Sequence, residues 1–221
     1  MLPTRVWLFD LDDTLHDAST AAYAGINEGM NSFMQRELGL SRAEASALRA
    51  KYWQRYGATL LGLVRHHGVD AAHFLHHAHL LPGLEERVYG HRHDLAALAA
   101  LPGRRVLLTN APAAYTARVL GVLGIAHLFE RILSIEDLRM FGHWRPKPDA
   151  RMLRALAVGL GVAPSRCTLV EDTLVHQKAA RSIGMQTVWM QRWLRAGGRA
   201  RRLARRPAYV DQRITRLRQL R

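Results

Sequence analysis

Val6-Trp7-Leu8-Phe9-Asp10-Leu11-Asp12-Asp13-Thr14-Leu15 is the stretch on which the reading of the whole chain turns. Four consecutive apolar residues without polar alternation read as a strand buried on both faces, the pattern of a parallel sheet covered by helices. The strand then exits into three carboxylates within four positions. Carboxylates this close repel one another unless a cation or a proton is present. Side chains alternate along extended backbone, so Asp10 and Asp12 point the same way and can face one ligand. An acidic turn or a helix N-cap favours the same residue types, so the other strand ends must be weighed with this one.

Arg105-Val106-Leu107-Leu108 repeats the pattern and ends in Thr109-Asn110, and Cys167-Thr168-Leu169-Val170 ends in Glu171-Asp172. Gln186-Thr187-Val188-Trp189-Met190 and Ala208-Tyr209-Val210 read as further strands, with residues 131–135 a weaker one. Helical patterns lie between them, notably 113–123 and 149–160, the second with Asp149 as its N-cap. Strands spaced by helices give an α/β fold, in which ligands bind beyond the carboxyl ends of the strands. Residues 18–81 break the alternation with amphipathic helical sequence punctuated by Gly39 and Gly68, and Leu81-Pro82-Gly83 closes it with a turn. More than ninety residues then separate the first two strands, far beyond an ordinary crossover. The economical reading is a helical domain, residues 17–83, inserted into a core made of 1–16 and 84–221.

The chain has 221 residues, 48% apolar and 23% charged, which excludes a disordered or fibrous protein. Its net charge of +14 invites a nucleic-acid reading. Mapped along the chain, that charge is local: residues 192–221 hold 11 arginines and one acid, leaving only +4 over the other 191 residues. A solvated basic segment, with 201–206 as a short exposed helix or loop, is the plainer expectation, and nucleic acid is not an expected partner. The single cysteine, Cys167, excludes an intrachain disulfide and a Cys-rich zinc site. The apolar run near the start is too short for a signal peptide core, and no 18-residue apolar stretch follows. The expectation is a cytoplasmic protein without a membrane partner.

The strand ends carry complementary chemistry. Thr109 and Asn110 offer a hydroxyl and an amide to phosphate oxygens, and Glu171 and Asp172 offer carboxylates to a hard cation such as Mg²⁺. Lys147, in Arg145-Pro146-Lys147-Pro148-Asp149, is one of only three lysines beside 29 arginines, and the flanking prolines stiffen its backbone.

Taken in order, Asp10-Leu11-Asp12-Asp13-Thr14, Leu108-Thr109-Asn110, Arg145-Pro146-Lys147-Pro148-Asp149 and Val170-Glu171-Asp172-Thr173 resemble the four-motif series of the haloacid dehalogenase superfamily. The resemblance extends from residue 5 to about residue 190 and implies a Rossmann-like core with a first-type helical cap inserted after the first motif. It implies that Asp10 is the nucleophile that forms an aspartyl-phosphate, and that Asp12 is the acid and base. It implies that Thr109 and Lys147, with Asn110 nearby, bind the phosphoryl oxygens. Mg²⁺ would lie between Asp10, the Asp12 backbone carbonyl and Asp172, with Glu171 as a direct or outer partner. Members that dehalogenate lack the second aspartate, so Asp12 favours phosphate-ester chemistry.

Tyr56-Gly57-Ala58-Thr59-Leu60-Leu61-Gly62-Leu63 and the forms of the third and fourth motifs are similar to the pyrimidine 5′-nucleotidase branch. That likeness implies a pyrimidine nucleoside 5′-monophosphate as substrate, with Tyr56 either stacking on a base or packing the helical domain against itself. A phosphoglycolate or sugar-phosphate phosphatase and a phosphomutase begin with the same chemistry. A nucleic-acid-binding protein on a degenerate phosphatase core is the non-enzymatic alternative. Two residues depart from the branch: His176 replaces a usual asparagine and His16 a common tyrosine. Eight of the twelve histidines fall between 66 and 93; His73 and His77 have the spacing of paired metal ligands but no acidic or cysteine partner, and a solvated helix face is expected. Cys167 is expected in the core.

Overall fold

The computed structural model describes residues 5–193 and 206–220. They form two compact units, one from residues 5–18 with the described part of 88–220 and the other from 19–87. In chain order the elements begin with strand β1 (Val6–Phe9) and helices α1 (Ala18–Ala21), α2 (Tyr23–Leu38), α3 (Arg42–Tyr56), α4 (Thr59–His67), α5 (Ala71–Ala78), α6 (Leu84–Arg87) and α7 (Arg92–Ala100). There follow β2 (Arg104–Leu108), α8 (Ala113–Leu123), β3 (Arg131–Leu133), β4 (Arg139–Met140) and β5 (His143–Trp144). The chain continues through α9 (Ala150–Gly159), β6 (Cys167–Glu171), α10 (Leu174–Ser182), β7 (Gln186–Met190) and β8 (Gln212–Ile214).

Six strands make one sheet in the order β3-β2-β1-β6-β7-β8, every neighbouring pair parallel. This is the α/β, Rossmann-like parallel sheet expected from the buried apolar runs. All four residues of β1 and all five of β6 are buried, because helices cover both faces. Val6, Leu8, Val106, Leu108 and Leu169 pack with Met152, Leu153 and Ala157 of α9 and with Ala180 of α10. The alternate residues Trp7 and Phe9 stack on each other, and Phe9 meets the ring of Phe129 edge-on at 6.3 Å. Phe9 stands beside Leu107 of β2 and Val170 of β6, so β2 and β6 each run one residue past the end of β1. The strand order reverses at β1, which makes that common edge the place where an open α/β sheet leaves a crevice.

Asp149 caps α9, accepting from the N–H groups of Arg151 and Met152. Residues 208–210 do not form the expected strand. The Val210 N–H turns back to the Pro207 carbonyl at 3.0 Å, and the Tyr209 carbonyl accepts from the Thr187 hydroxyl at 2.8 Å. With those groups engaged, edge pairing starts only at Gln212, two residues after the Ala208-Tyr209-Val210 run that suggested it. Residues 131–135 are likewise shortened, because Ser134 takes the Asp137 carboxylate at its N–H and opens a 3₁₀ turn.

The second unit is helical throughout its described elements. Phe33 of α2 meets Phe74 of α5 edge-on at 5.2 Å, and both are buried. Gly39 and Gly68 end α2 and α4 in left-handed conformations, the role their spacing suggested. Gly62 lets α4 approach the ring of Tyr52 so closely that a Cβ would fall 2.1 Å from it. Among the described residues no helix is long and apolar enough to cross a membrane.

Candidate active site

The residues that the sequence singled out in the first unit meet at the carboxyl edge of β1, β2 and β6. Asp10 follows β1 directly, its N–H donating to the Val170 carbonyl, which continues the parallel ladder. Lys147 reaches the same point from the loop before α9. Its side chain is 1% exposed, and its Nζ donates to Asp10 Oδ1 and Glu171 Oε2, each at 2.6 Å. Burial alone would lower the Lys147 pKa, but the two carboxylates hold it well above the usual lysine range.

One ammonium does not balance the acids around it. Asp10, Glu171 and Asp172 offer oxygens that all lie within 4.8 Å of one another. Burial and the neighbouring Glu171 raise Asp10 well above the usual carboxylate range, and the same two causes raise Asp172. Glu171 goes the other way: burial opposes its charge, but Lys147 and His176 hold it below that range. His176 Nδ1 stands 3.0 Å from Glu171 Oε2, an ion-pair distance without hydrogen-bond alignment. A pocket with oxygen donors only and uncompensated negative charge fits a hard divalent cation.

Thr109, 1% exposed, accepts the Ala111 N–H at 3.0 Å on its hydroxyl oxygen, leaving the O–H proton to donate elsewhere. Asn110 sits next to it, with both ends of its amide engaged by the Lys147 backbone: Nδ2 donates to the carbonyl and Oδ1 accepts from the N–H, each at 2.9 Å.

Asp12 lies one turn of loop beyond Asp10. The loop closes with Leu15 N–H donating to the Leu11 carbonyl at 2.9 Å, and Asp13 takes the left-handed φ of 53° that the turn requires. Asp12 Oδ1 receives the Tyr115 hydroxyl at 2.8 Å and lies 2.8 Å from His16 Nε2. Burial and the Asp12 carboxylate push the Tyr115 phenol far above its usual range, so it stays a donor.

Sequence reasoning missed the supports of this edge. Gln177, fully buried on α10, donates from one nitrogen to the carbonyls of Glu171 and Val188 at 2.8 and 2.7 Å, clamping β6 to β7 where the acids emerge. Trp189 Nε1 donates to the Asp172 carbonyl at 2.8 Å. Neither residue belongs to a recognisable spacing; only their polar atoms within apolar surroundings hinted at a role. Tyr115 carries no motif either.

Other candidates lie elsewhere. Tyr56 is in the second unit, where its hydroxyl meets His66 Nε2 at 2.6 Å and its ring lies 5.8 Å from that of Tyr52. His73 and His77 share one face of α5, their rings 4.6 Å apart and both close to Phe33. They belong to no group of three metal-ligating side chains among the described residues. Cys167 is buried in β6, and burial pushes its thiol up to about 11. Residues 194–205, which hold five of the arginines of that stretch, lie outside the described residues. Arg192 departs from the solvated reading: it pairs with Asp94, 5% exposed, which also accepts the Leu217 N–H at 2.9 Å.

Residues 4–184 match a family described as haloacid dehalogenase-like hydrolase. Phosphate metabolism protein 8 of Saccharomyces cerevisiae is 25% identical over 191 residues, covering 82% of this chain and 60% of that protein. A phosphoglycolate phosphatase of Nitrosococcus oceani is 32% identical over 111 residues, covering 50% of this chain and 44% of that protein. The match thus spans less than two thirds of the length of either relative. The crystal structure of a HAD phosphatase from Thermococcus onnurineus superposes with a TM-score of 0.64 at 20% identity, over 98% of this chain and 96% of that one. That likeness carries the fold.

Proposed function

The chain belongs to the haloacid dehalogenase-like hydrolase family, and on that premise we propose that it is a phosphomonoesterase working through an aspartyl-phosphate on Asp10. The observation that carries this reading is the meeting of Asp10, Lys147 and Glu171 at 2.6 Å contacts, with the Thr109 hydroxyl on the neighbouring strand end. Phosphoryl transfer depends on positioning and charge neutralisation, and this edge supplies both.

In the first step an Asp10 carboxylate oxygen attacks phosphorus and the ester P–O bond breaks. Asp12 gives its proton to the departing alkoxide, which leaves as an alcohol. In the second step Asp12 takes a proton from water as that water attacks phosphorus, releasing inorganic phosphate and restoring Asp10. A carboxylate nucleophile thereby divides one difficult displacement into two easier ones. The Lys147 ammonium and the Thr109 O–H hold the phosphoryl oxygens through both steps, while Asn110 holds the Lys147 backbone. Asp10, the Asp12 carbonyl and Asp172, with Glu171 beside them, would hold Mg²⁺, which when bound neutralises charge on the transferring group.

For the substrate we propose a pyrimidine nucleoside 5′-monophosphate, supported by the Tyr56-to-Leu63 segment and the forms of the third and fourth motifs. A second reading, a phosphoglycolate phosphatase, is favoured by the 32% identity to the relative of that name. Phosphate release from UMP, CMP, phosphoglycolate and fructose 1-phosphate, each with Mg²⁺ and with chelator, separates the two. Preference for the nucleotides supports the first, preference for phosphoglycolate the second. Isomerised phosphorylated product in place of free phosphate reveals a mutase. Full turnover by Asp10→Asn would defeat the mechanism itself.

A further inference from the structure

His16 is wholly buried, and its ion-pair contact is with the Asp12 carboxylate four positions back. Its Nε2 lies 2.8 Å from Asp12 Oδ1, and its Nδ1 has no partner among the described residues. A buried imidazole nitrogen without a partner carries an uncompensated desolvation cost, which a leucine or phenylalanine at the same place would avoid. The contact that the imidazole makes is therefore the feature to explain. An ionised carboxylate can only accept, so the nitrogen facing Asp12 is the N–H. The Tyr115 hydroxyl donates to the same oxygen at 2.8 Å and lies 3.4 Å from His16 Nε2. Tyr115 is itself 1% exposed. Two rigid, buried donors thus converge on Oδ1, whereas Oδ2 receives no hydrogen bond among the described residues. The Asp12 side chain remains 18% exposed, so one side of it faces open space. The main chain adds a restraint, since Asp12 and His16 form a bridge across the same loop.

We propose that His16 and Tyr115 are positioning residues for Asp12, holding Oδ1 from two directions so that the proton passes to and from substrate through Oδ2. The proposal rests on the reading of Asp12 as the acid and base. With both donors on Oδ1, a proton carried by Asp12 belongs on Oδ2, the oxygen that neither donor engages. Neither His16 nor Tyr115 touches the phosphoryl group in this scheme. Their effect is to remove carboxylate orientations in which the proton points at the loop.

Leaving-group dependence tests it. A p-nitrophenolate leaves without a proton, phenolate needs one more, and an alkoxide needs one most. The kcat/KM for p-nitrophenyl phosphate, phenyl phosphate and glycerol phosphate is measured for the wild type, Tyr115→Phe, His16→Phe and His16→Gln, with Asp12→Asn as reference. Tyr115→Phe deletes a single oxygen, and His16→Gln keeps a donor near the position of Nε2. The expected result is a loss of about 10–100-fold on the alkyl ester for Tyr115→Phe and His16→Phe, on the scale of a misplaced catalytic group. The loss on p-nitrophenyl phosphate should stay within about threefold, and His16→Gln should recover most of the alkyl-ester activity. An equal loss on all three esters, or none, overturns the proposal. If Asp12→Asn shows the selective loss and the other variants do not, positioning fails while the acid–base role stands. If Asp12→Asn itself shows no selectivity, both fall. Should His16→Phe not fold, Tyr115→Phe and His16→Gln still decide the matter.

Discussion

Asn110 and Lys147, thirty-seven positions apart, grip each other through a reciprocal pair of 2.9 Å hydrogen bonds, side-chain amide to backbone amide. The pairing imitates a short antiparallel ladder and fixes the backbone from which the Lys147 side chain departs toward Asp10. Removing it with Asn110→Ala should leave the lysine present but less well aimed. At roughly 1–3 kcal/mol of lost restraint, turnover should fall about 10–100-fold. Steady-state kinetics check this, with circular dichroism to show that the fold survives. Unchanged kcat would mean that the prolines flanking Lys147 suffice.

Lys147→Met leaves Asp10 and Glu171 buried without their ammonium. Breaking a buried pair from one side costs about 3–5 kcal/mol, so urea denaturation at neutral pH should show a loss of that order. The sign of its pH dependence follows from Glu171, whose folded pKa Lys147 depresses. A depressed carboxylate contributes stability that is present above its unfolded value and lost as pH falls through the folded one. The gap between wild type and variant should therefore narrow in acid.

Divalent cation should stabilise the protein against heat, by about 2.7 kcal/mol at a hundredfold excess over Kd. Asp172→Asn should abolish most of that gain. Because Asp10 and Asp172 hold protons more tightly than ordinary carboxylates, cation and protons compete, and apparent affinity should weaken as pH falls. Thermal melts with Mg²⁺ and with chelator across pH 5–8 (about the range where such competition is measurable) read both effects. A Tm indifferent to Mg²⁺ at every pH would contradict the assignment of the cluster.

Asp94 joins α7 to two later parts of the chain, pairing with Arg192 and accepting the Leu217 N–H. Asp94→Ala leaves a guanidinium and an amide without their acceptor, and a loss of about 3 kcal/mol is expected from the pair alone. Chemical denaturation measures it. Limited proteolysis should then cut after residue 192 sooner than in the wild type.

The parallel sheet was legible because β1, β2, β6 and β7 are apolar runs that only a doubly covered sheet can bury, and because the first three of them run out into polar residues. The strand after residue 207 was misplaced because apolar character marks burial, and Val210 is buried in a turn instead of a ladder. At the candidate site, Asp10, Thr109, Lys147, Glu171 and Asp172 stood out as polar residues at strand ends or in a stiffened loop. Tyr115, Gln177 and Trp189 did not, since a helix or strand residue that contributes one hydrogen bond has no signature in spacing. Arg192 was misread for a related reason. Charge along a sequence locates arginines without showing which of them meets a buried acid.

The burial of Lys147 has a practical consequence. The only other lysines are Lys51, exposed on α3 of the second unit, and Lys178, exposed on α10 of the first. An amine-reactive dye should therefore modify those two side chains and the α-amine while sparing the lysine beside Asp10. The one cysteine is buried and stays silent to thiol reagents. Labelled through its lysines, the protein would carry one side-chain probe on each compact unit while the lysine beside Asp10 stays unmodified.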